Sequence, residues 1–349
     1  MQTRTIAIRA FSLVLLGVLG GALLTGCSQA QPQKAEQHIQ TGDELLKNDD
    51  LDGALREFQA AVQECEDAAQ AQPQLAVAHS RMGVIYRRMG DYDRAIDSFA
   101  EAVRLAPRSF VDVFNLAQLY HFTNRLRDAV EAYLHACNLR PDDFDASLNL
   151  AVCYEQLGDY GQAVERCQKA IAIDPTRPHA YVNLGVALDR QGKFYEAISA
   201  YKNALERDSH QPLVLVNLAY TYMNQERLTM ARKALEQAVQ MDEKLPAAHE
   251  ALGFCLLREQ NYEGAKSAYN KAIELDPRMA SAYAGLGSIE MLNHLNGRTD
   301  GRRELALEYW HRSLELNADQ PKVRALIEKY RTAGMMSPET ALLGAQASN

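Results

Sequence analysis

The sequence predicts an all-α fold: a solenoid of about eight stacked helical hairpins, closed by a C-terminal capping helix. Three observations carry this. One phrase returns four times at a fixed interval, as Asn115-Leu116-Ala117, Asn149-Leu150-Ala151, Asn183-Leu184-Gly185 and Asn217-Leu218-Ala219, each asparagine 34 residues after the last. A strict period of that length signals stacked hairpins, each covering the apolar face of its neighbour. Small and large apolar residues also recur at fixed places within every period. Finally, a composition of 47% hydrophobic and 23% charged residues is that of an ordinary folded soluble protein. A solenoid accommodates 349 residues because its core grows along one axis.

Residues 1–26 read as a signal segment outside the fold. Arg4 and Arg9 precede an apolar, glycine-containing run from Ala10 to Leu24. A cationic start, an apolar stretch and small residues before a cut describe a secretory signal. The run ends Leu24-Thr25-Gly26-Cys27, which resembles the lipobox of bacterial lipoproteins. The resemblance implies cleavage before Cys27 and lipid on its thiol, so that the chain is anchored to a membrane. An uncleaved anchor and an ordinary cleaved signal are the alternatives, since the run is about long enough to span with its flanks. In enteric bacteria an aspartate after the cysteine favours the inner membrane. Ser28 stands there, and the resemblance implies an outer-membrane location facing the periplasm. Residues 27–34 form the lipidated cysteine and a short polar tether. Loss of Arg4 and Arg9 with the leader takes the formal charge from −8 to −10.

The first repeat covers about 35–75. Gly42, Leu45, Ala54, Phe58 and Ala61 fall where later repeats copy them, and Asp49-Asp50-Leu51-Asp52 makes the turn and offers N-cap oxygens. This repeat is seven residues longer than the period, about two helical turns. The surplus lies in 64–73, so the second helix is expected to extend there. The second repeat, 76–109, states the pattern most fully in Gly83, Tyr86, Gly90, Ala95, Phe99, Ala102 and Pro107. Gly83 and Ala95 let the two helices approach, Tyr86 and Phe99 fill the space between them, and Ala102 permits contact with the next hairpin. Pro107 lacks a backbone donor and ends the second helix.

This pattern strongly resembles the tetratricopeptide repeat, across 35–318. The resemblance implies a right-handed superhelix whose first helices line a concave face. Repeats at 110–143, 144–177, 178–211, 212–245 and 246–279 keep register, the fifth and sixth carrying Ser209 and Glu243 in place of the closing proline. The eighth, 280–318, has its second helix seven positions late, at Ala306, Trp310 and Ser313. Residues 293–303 therefore make an inserted turn containing Gly297, Gly301 and three arginines. It reads as a solvated loop or as a basic contact for an acidic partner or lipid headgroups. Val323, Leu326, Ile327 and Tyr330 give one apolar face to a capping helix at 319–333, and 334–349 reads as a flexible tail.

No phosphate loop, nucleophile elbow or HExxH is present, and none of the nine histidines pairs with another at metal spacing. His179 and His249 read as surface or stacking residues. The chain is expected not to be an enzyme and to need no cofactor or metal. No basic stripe with interleaved aromatics is visible, so no nucleic-acid partner is expected. Five cysteines follow Cys27: Cys65, Cys137, Cys153, Cys167 and Cys255. None forms a CxxC, which disfavours structural zinc. Cys153 and Cys167 lie on opposite helices of one hairpin, either as small buried hydrophobes or as a disulfide in an oxidising compartment.

Transferring the family's geometry by position places Phe114, Phe122, Leu148, Val182, Val216, Tyr220 and Phe254 on the concave face. A groove so apolar suits a peptide or an amphipathic helix, unless tighter curling of the solenoid fills it. Asn115, Asn149, Asn183 and Asn217 share that face. An amide offers a donor and an acceptor, so a row of amides can pair with an extended peptide backbone without reading its side chains. The row resembles the asparagine ladder of the O-linked N-acetylglucosamine transferases, of which only the binding mode carries over. The same amides can instead bond between helices. The implied function is a membrane-anchored scaffold or adaptor for a protein or peptide partner. It would support an envelope complex such as pilus and secretin, outer-membrane assembly or cell-wall machinery. The alternatives are a self-associating structural module, with oligomeric state open, and an accessory protein of polysaccharide export.

Overall fold

Helix-favouring stretches separated by very short turns leave the backbone one compact solution, antiparallel helix pairs. A computed structural model describes residues 21–65, 71–297 and 301–332. Among the described residues there is no strand. The chain divides into two compact units, Met1–Leu157 and Gly158–Asn349.

In the first unit α1 (Gly21–Lys47) pairs with α2 (Leu51–Cys65), α3 (Gln72–Met89) with α4 (Tyr92–Leu105), and α5 (Phe110–Phe122) with α6 (Leu126–Leu139). Then α7 (Phe144–Gln156) packs on α6. In the second unit α8 (Tyr160–Ile173) packs on α9 (Pro178–Arg190), which pairs with α10 (Phe194–Arg207). Next α11 (Pro212–Asn224) pairs with α12 (Leu228–Met241), and α13 (Pro246–Arg258) with α14 (Tyr262–Leu275). Last, α15 (Ala280–Leu295) pairs with α16 (Arg302–Leu316), and α17 (Pro321–Thr332) closes on α16. Within each unit, second helices also pack on the first helix of the following hairpin. Each unit is an all-α stack of helical hairpins.

The turns inside the hairpins need a left-handed residue. Glycine takes that place at Gly90, Gly158 and Gly192, with φ of 78°, 81° and 75°, while Asp49, Asn124, Glu226 and Gln260 hold it elsewhere at φ of 59–63°. The second helix then starts on a side-chain cap where the sequence offers one. Asp91 accepts from the Arg94 amide at 3.1 Å, Asp159 from Gln162 at 3.1 Å and Asn261 from Gly264 at 3.1 Å.

Second helices end at equivalent places with or without the closing proline. Asp174, Asp208, Asp242 and Asp276 follow α8, α10, α12 and α14. Each carboxylate accepts the amide two residues on, at 2.9, 3.0, 2.9 and 2.9 Å. This Asx turn redirects the chain by itself. It explains why Ser209 and Glu243 are tolerated where other repeats carry proline.

The core follows a small-opposite-large rule. A Cβ on Gly42 would lie 2.8 Å from the Phe58 ring, on Gly83 2.8 Å from Phe99, on Gly185 2.5 Å from Tyr201, and on Gly253 2.8 Å from Tyr269. Each pair is sixteen residues apart. Ala102, Ala136, Ala170, Ala204, Ala238 and Ala272 are fully buried on the second helices. No larger side chain fits where one hairpin meets the next.

The ends depart from sequence expectation. The surplus of the first repeat was expected to lengthen its second helix. Residues 66–70, where that extension falls, lie outside the described residues; α3 has 18 residues where α5 has 13, so the first helix of the next repeat carries part of the extra length. Pro73 at the start of α3 accounts for this, since proline suits the first helical positions and not the interior. The segment 28–34, read as a tether, continues the helical path of α1. The inserted turn is shorter than expected, because α15 runs to 16 residues where α13 has 13. His249 is buried rather than superficial, with Nε2 2.9 Å from the Glu243 carbonyl oxygen.

Candidate functional site

First helices present one face whose side chains recur every third or fourth position, so the sequence-predicted site residues belong to a shared surface within each unit. How much of each residue remains accessible depends on its neighbours.

In the first unit Phe114 is half-buried between Phe110 and Tyr133, with ring centroids 5.6 and 5.8 Å away. It belongs to the packing of that repeat. Phe122 is 67% exposed and leans on Tyr92 at 4.6 Å. These two rings, with Arg87, Gln118, His121 and Asn149, line a groove of about 550 Å³. Leu148 is half-buried beside it in sequence. The groove brings together Phe122 and Asn149 from the predicted set. Tyr92 was not foreseen; it begins a second helix, and its only sequence signal is an aromatic directly after the capping aspartate.

In the second unit Val216 is 5% exposed and sits in the core, so the expectation that it lines a groove fails. It belongs to a cluster of buried side chains drawn from α9, α11 and α13, among others. Val182 is half-buried and packed against the same core. Tyr220 donates from its hydroxyl to Glu250 Oε2 at 2.8 Å and lies 6.5 Å from the Phe254 ring. Burial, the Glu250 charge and that hydrogen bond push the Tyr220 phenol far above its ordinary range. Tyr220, Glu250 and Phe254 share a second pocket, of about 410 Å³, with Ser288, Gln320 and Lys322. Gln320 and Lys322 come from the start of the capping segment. No repeat pattern could have pointed to them, because their place is set by how α17 docks.

The ladder asparagines differ from one another. Asn115 Oδ1 accepts from Arg87 Nη1 at 3.3 Å. Asn149, Asn183 and Asn217 are half-buried, and their side-chain amides take no protein hydrogen bond among the described residues. The ladder has already ended at Ala251, and at Gly285, one repeat further on, the Tyr269 ring occupies the space a Cβ would need.

The five described cysteines are free and buried, so the Cys153–Cys167 disulfide is not formed. Burial pushes both thiols up to about 12, which keeps them protonated and unreactive. Cys27 lies where no side chain is described. Among the described residues no helix is long and apolar enough to cross a membrane.

Antiparallel helix pairs of this length, crossing at a small residue and stacked through buried alanines, define a tetratricopeptide-repeat protein. The family model described as "Cilia and flagella-associated protein 70 C-terminal domain" matches residues 47–286, more than half of the chain, and the chain belongs to that family. Among solved structures it is similar to a tetratricopeptide repeat protein from Parabacteroides merdae, at 17% identity and TM-score 0.55, over 79% of this chain and 99% of that one. It is similar to pilF of Pseudomonas aeruginosa at 18% identity and TM-score 0.51, over 63% and 97% of the two chains. Yeast Tom70 is similar at 18% identity and TM-score 0.53, over 90% and 68%. At these identities the likeness is one of fold. No curated protein matches the chain.

Proposed function

We propose that the chain is a protein-binding tetratricopeptide scaffold that holds an extended peptide segment of a partner. In this reading it is lipid-anchored through Cys27 at the outer membrane, faces the periplasm, and supports assembly of an envelope complex. The observation that carries the binding role is the state of Asn149, Asn183 and Asn217. An interhelical role for these amides would give them protein partners, and they have none among the described residues. Each is half-buried on a first helix, where leaving an amide unsatisfied costs on the order of 1–3 kcal/mol once water is excluded. A peptide backbone offers the donor and the acceptor that would satisfy it. The motif Leu24-Thr25-Gly26-Cys27 after an apolar run supports the anchor.

Two measurements test this. A photo-crosslinker at Phe122 or Tyr220 in the native envelope should capture a partner. Combining Asn149→Ala with Asn183→Ala should lower that yield several-fold while unfolding free energy stays within about 0.5 kcal/mol of wild type. A large loss of stability with no change in yield would make the amides structural. Separately, Cys27→Ser should move the protein from the membrane fraction to the soluble fraction. Persistent tight membrane attachment of that variant would refute lipidation.

A further inference from the structure

Resting on the peptide-binding reading, the groove of the first unit also indicates which peptides it takes. Three arginines ride on α3. Arg81 Nε lies 2.7 Å from Asp43 Oδ1, and Arg88 Nη1 lies 3.5 Å from Asp49 Oδ1. Arg87 differs. Its Nη1 donates to the neutral oxygen of Asn115 at 3.3 Å, and no carboxylate among the described residues pairs with it. A guanidinium carries five donors in a planar fork and keeps its charge at any ordinary pH. One long bond to a neutral oxygen leaves most of that fork unused in a half-buried place.

Beside it stands the aromatic pair. Phe122 exposes 67% of its surface, and Tyr92 backs it at 4.6 Å with the rings tilted by 54°. Two rings held this way offer a fixed apolar platform to an incoming ring. Asn149 and Gln118 line the same groove, and neither side chain takes a protein hydrogen bond among the described residues.

We propose that this groove binds peptides in which an aspartate or glutamate neighbours an aromatic residue. The carboxylate enters the fork of Arg87, the ring packs on Phe122 and Tyr92, and the backbone pairs with Asn149. A basic peptide would meet like charge. A purely apolar one would leave Arg87 further desolvated without an acceptor. The chain's formal charge is −8, so affinity for an acidic peptide comes from the local cation and weakens with salt.

The test is an array of short random-sequence peptides probed with the full chain. The captured set should be enriched in acidic residues adjacent to aromatic ones. Arg87→Gln should weaken capture of that set about tenfold, the usual scale for a charged hydrogen-bonded partner. Arg87→Glu should shift the preference toward lysine and arginine, and Phe122→Ala should remove the aromatic preference. Circular dichroism and melting confirm that these variants fold, and the exposed Phe122 provides a readout that leaves the core intact. Capture without acidic preference, unchanged by Arg87→Glu yet lost with Asn149→Ala, overturns this inference and leaves the peptide-binding reading standing. No capture by the wild type overturns both.

Discussion

Trp310→Ala is expected to lower the unfolding free energy of the second unit by about 3–5 kcal/mol. Trp310 is 1% exposed and is among the largest fully buried side chains among the described residues. Its ring lies over Gly287, where a Cβ would come within 2.5 Å of Cδ1, and its Nε1 donates to the Ala284 carbonyl at 3.2 Å. The Tyr330 ring of α17 lies 6.0 Å away, tilted by 32°, and Met291, Ala306, Val323 and Ile327 complete the cluster. Alanine would leave a cavity and an unpaired carbonyl, and would loosen the cap. Urea unfolding measures the loss, and limited proteolysis should show early cleavage near residue 320. A cost below about 1 kcal/mol would mean that the cap is held by something other than this cluster.

Glu290→Gln should be the next most damaging change. The Glu290 side chain is fully buried, with Lys266 Nζ 2.5 Å from Oε1 and Arg302 Nη1 2.6 Å from Oε2. Burial by itself raises the carboxyl pKa. The hydrogen bonds and charges of Lys266 and Arg302 outweigh it and hold the group below the usual carboxylate range. Removing one member of such a cluster leaves charges uncompensated. Because both cations are about a third exposed and can rehydrate, the expected loss is reduced to roughly 2 kcal/mol. The pH dependence has a definite sign. A depressed folded pKa means that the contribution is fully present above the unfolded value, near 4.3 for glutamate, and disappears as pH falls through the folded value. Wild type should therefore lose stability relative to Glu290→Gln on acidification below about pH 4. Parallel acid titration curves for the two proteins would contradict the assignment.

The same cluster decides the character of the inserted turn. Its arginines suggested either a solvated loop or a basic contact. Arg302 is committed to Glu290, and Arg303 donates to the carbonyls of Tyr330 and Arg331 at 3.0 and 3.1 Å, where a cation suits the C-terminus of α17. Arg298 lies outside the described residues. The two arginines in view tie the insertion and the capping helix to the body of the second unit. This makes an outward-facing basic patch a poor description of them.

The repeat was legible because close packing imposes it. Wherever two helices cross, a small residue must face a large one, and Gly83 with Phe99 or Gly253 with Tyr269 repeats that demand at fixed spacing. Val323, Leu326, Ile327 and Tyr330 gave away the cap in the same manner, since an apolar stripe at helical spacing has to be covered. The candidate site was legible only in outline. Spacing could group Phe122, Tyr220 and the asparagines on the first helices, and the family resemblance implied that their face is the inner one. Whether a side chain on that face is free could not be read this way.

By itself, then, the sequence determined the helix pairs, their register, the small-to-large core contacts and the closing helix. All of these follow from interactions local in the chain or repeated along it. Only the tertiary structure decided that Val216 is sealed in the core while Phe122 stays open. It also decided that, among the described residues, Arg87 lacks the carboxylate that Arg81 and Arg88 have, that Arg302 and Arg303 are engaged, and that the five described cysteines are free. Accessibility and charge pairing depend on which side chains of other hairpins come within a few ångströms. That distance is set by packing between elements and not by the spacing within any one of them.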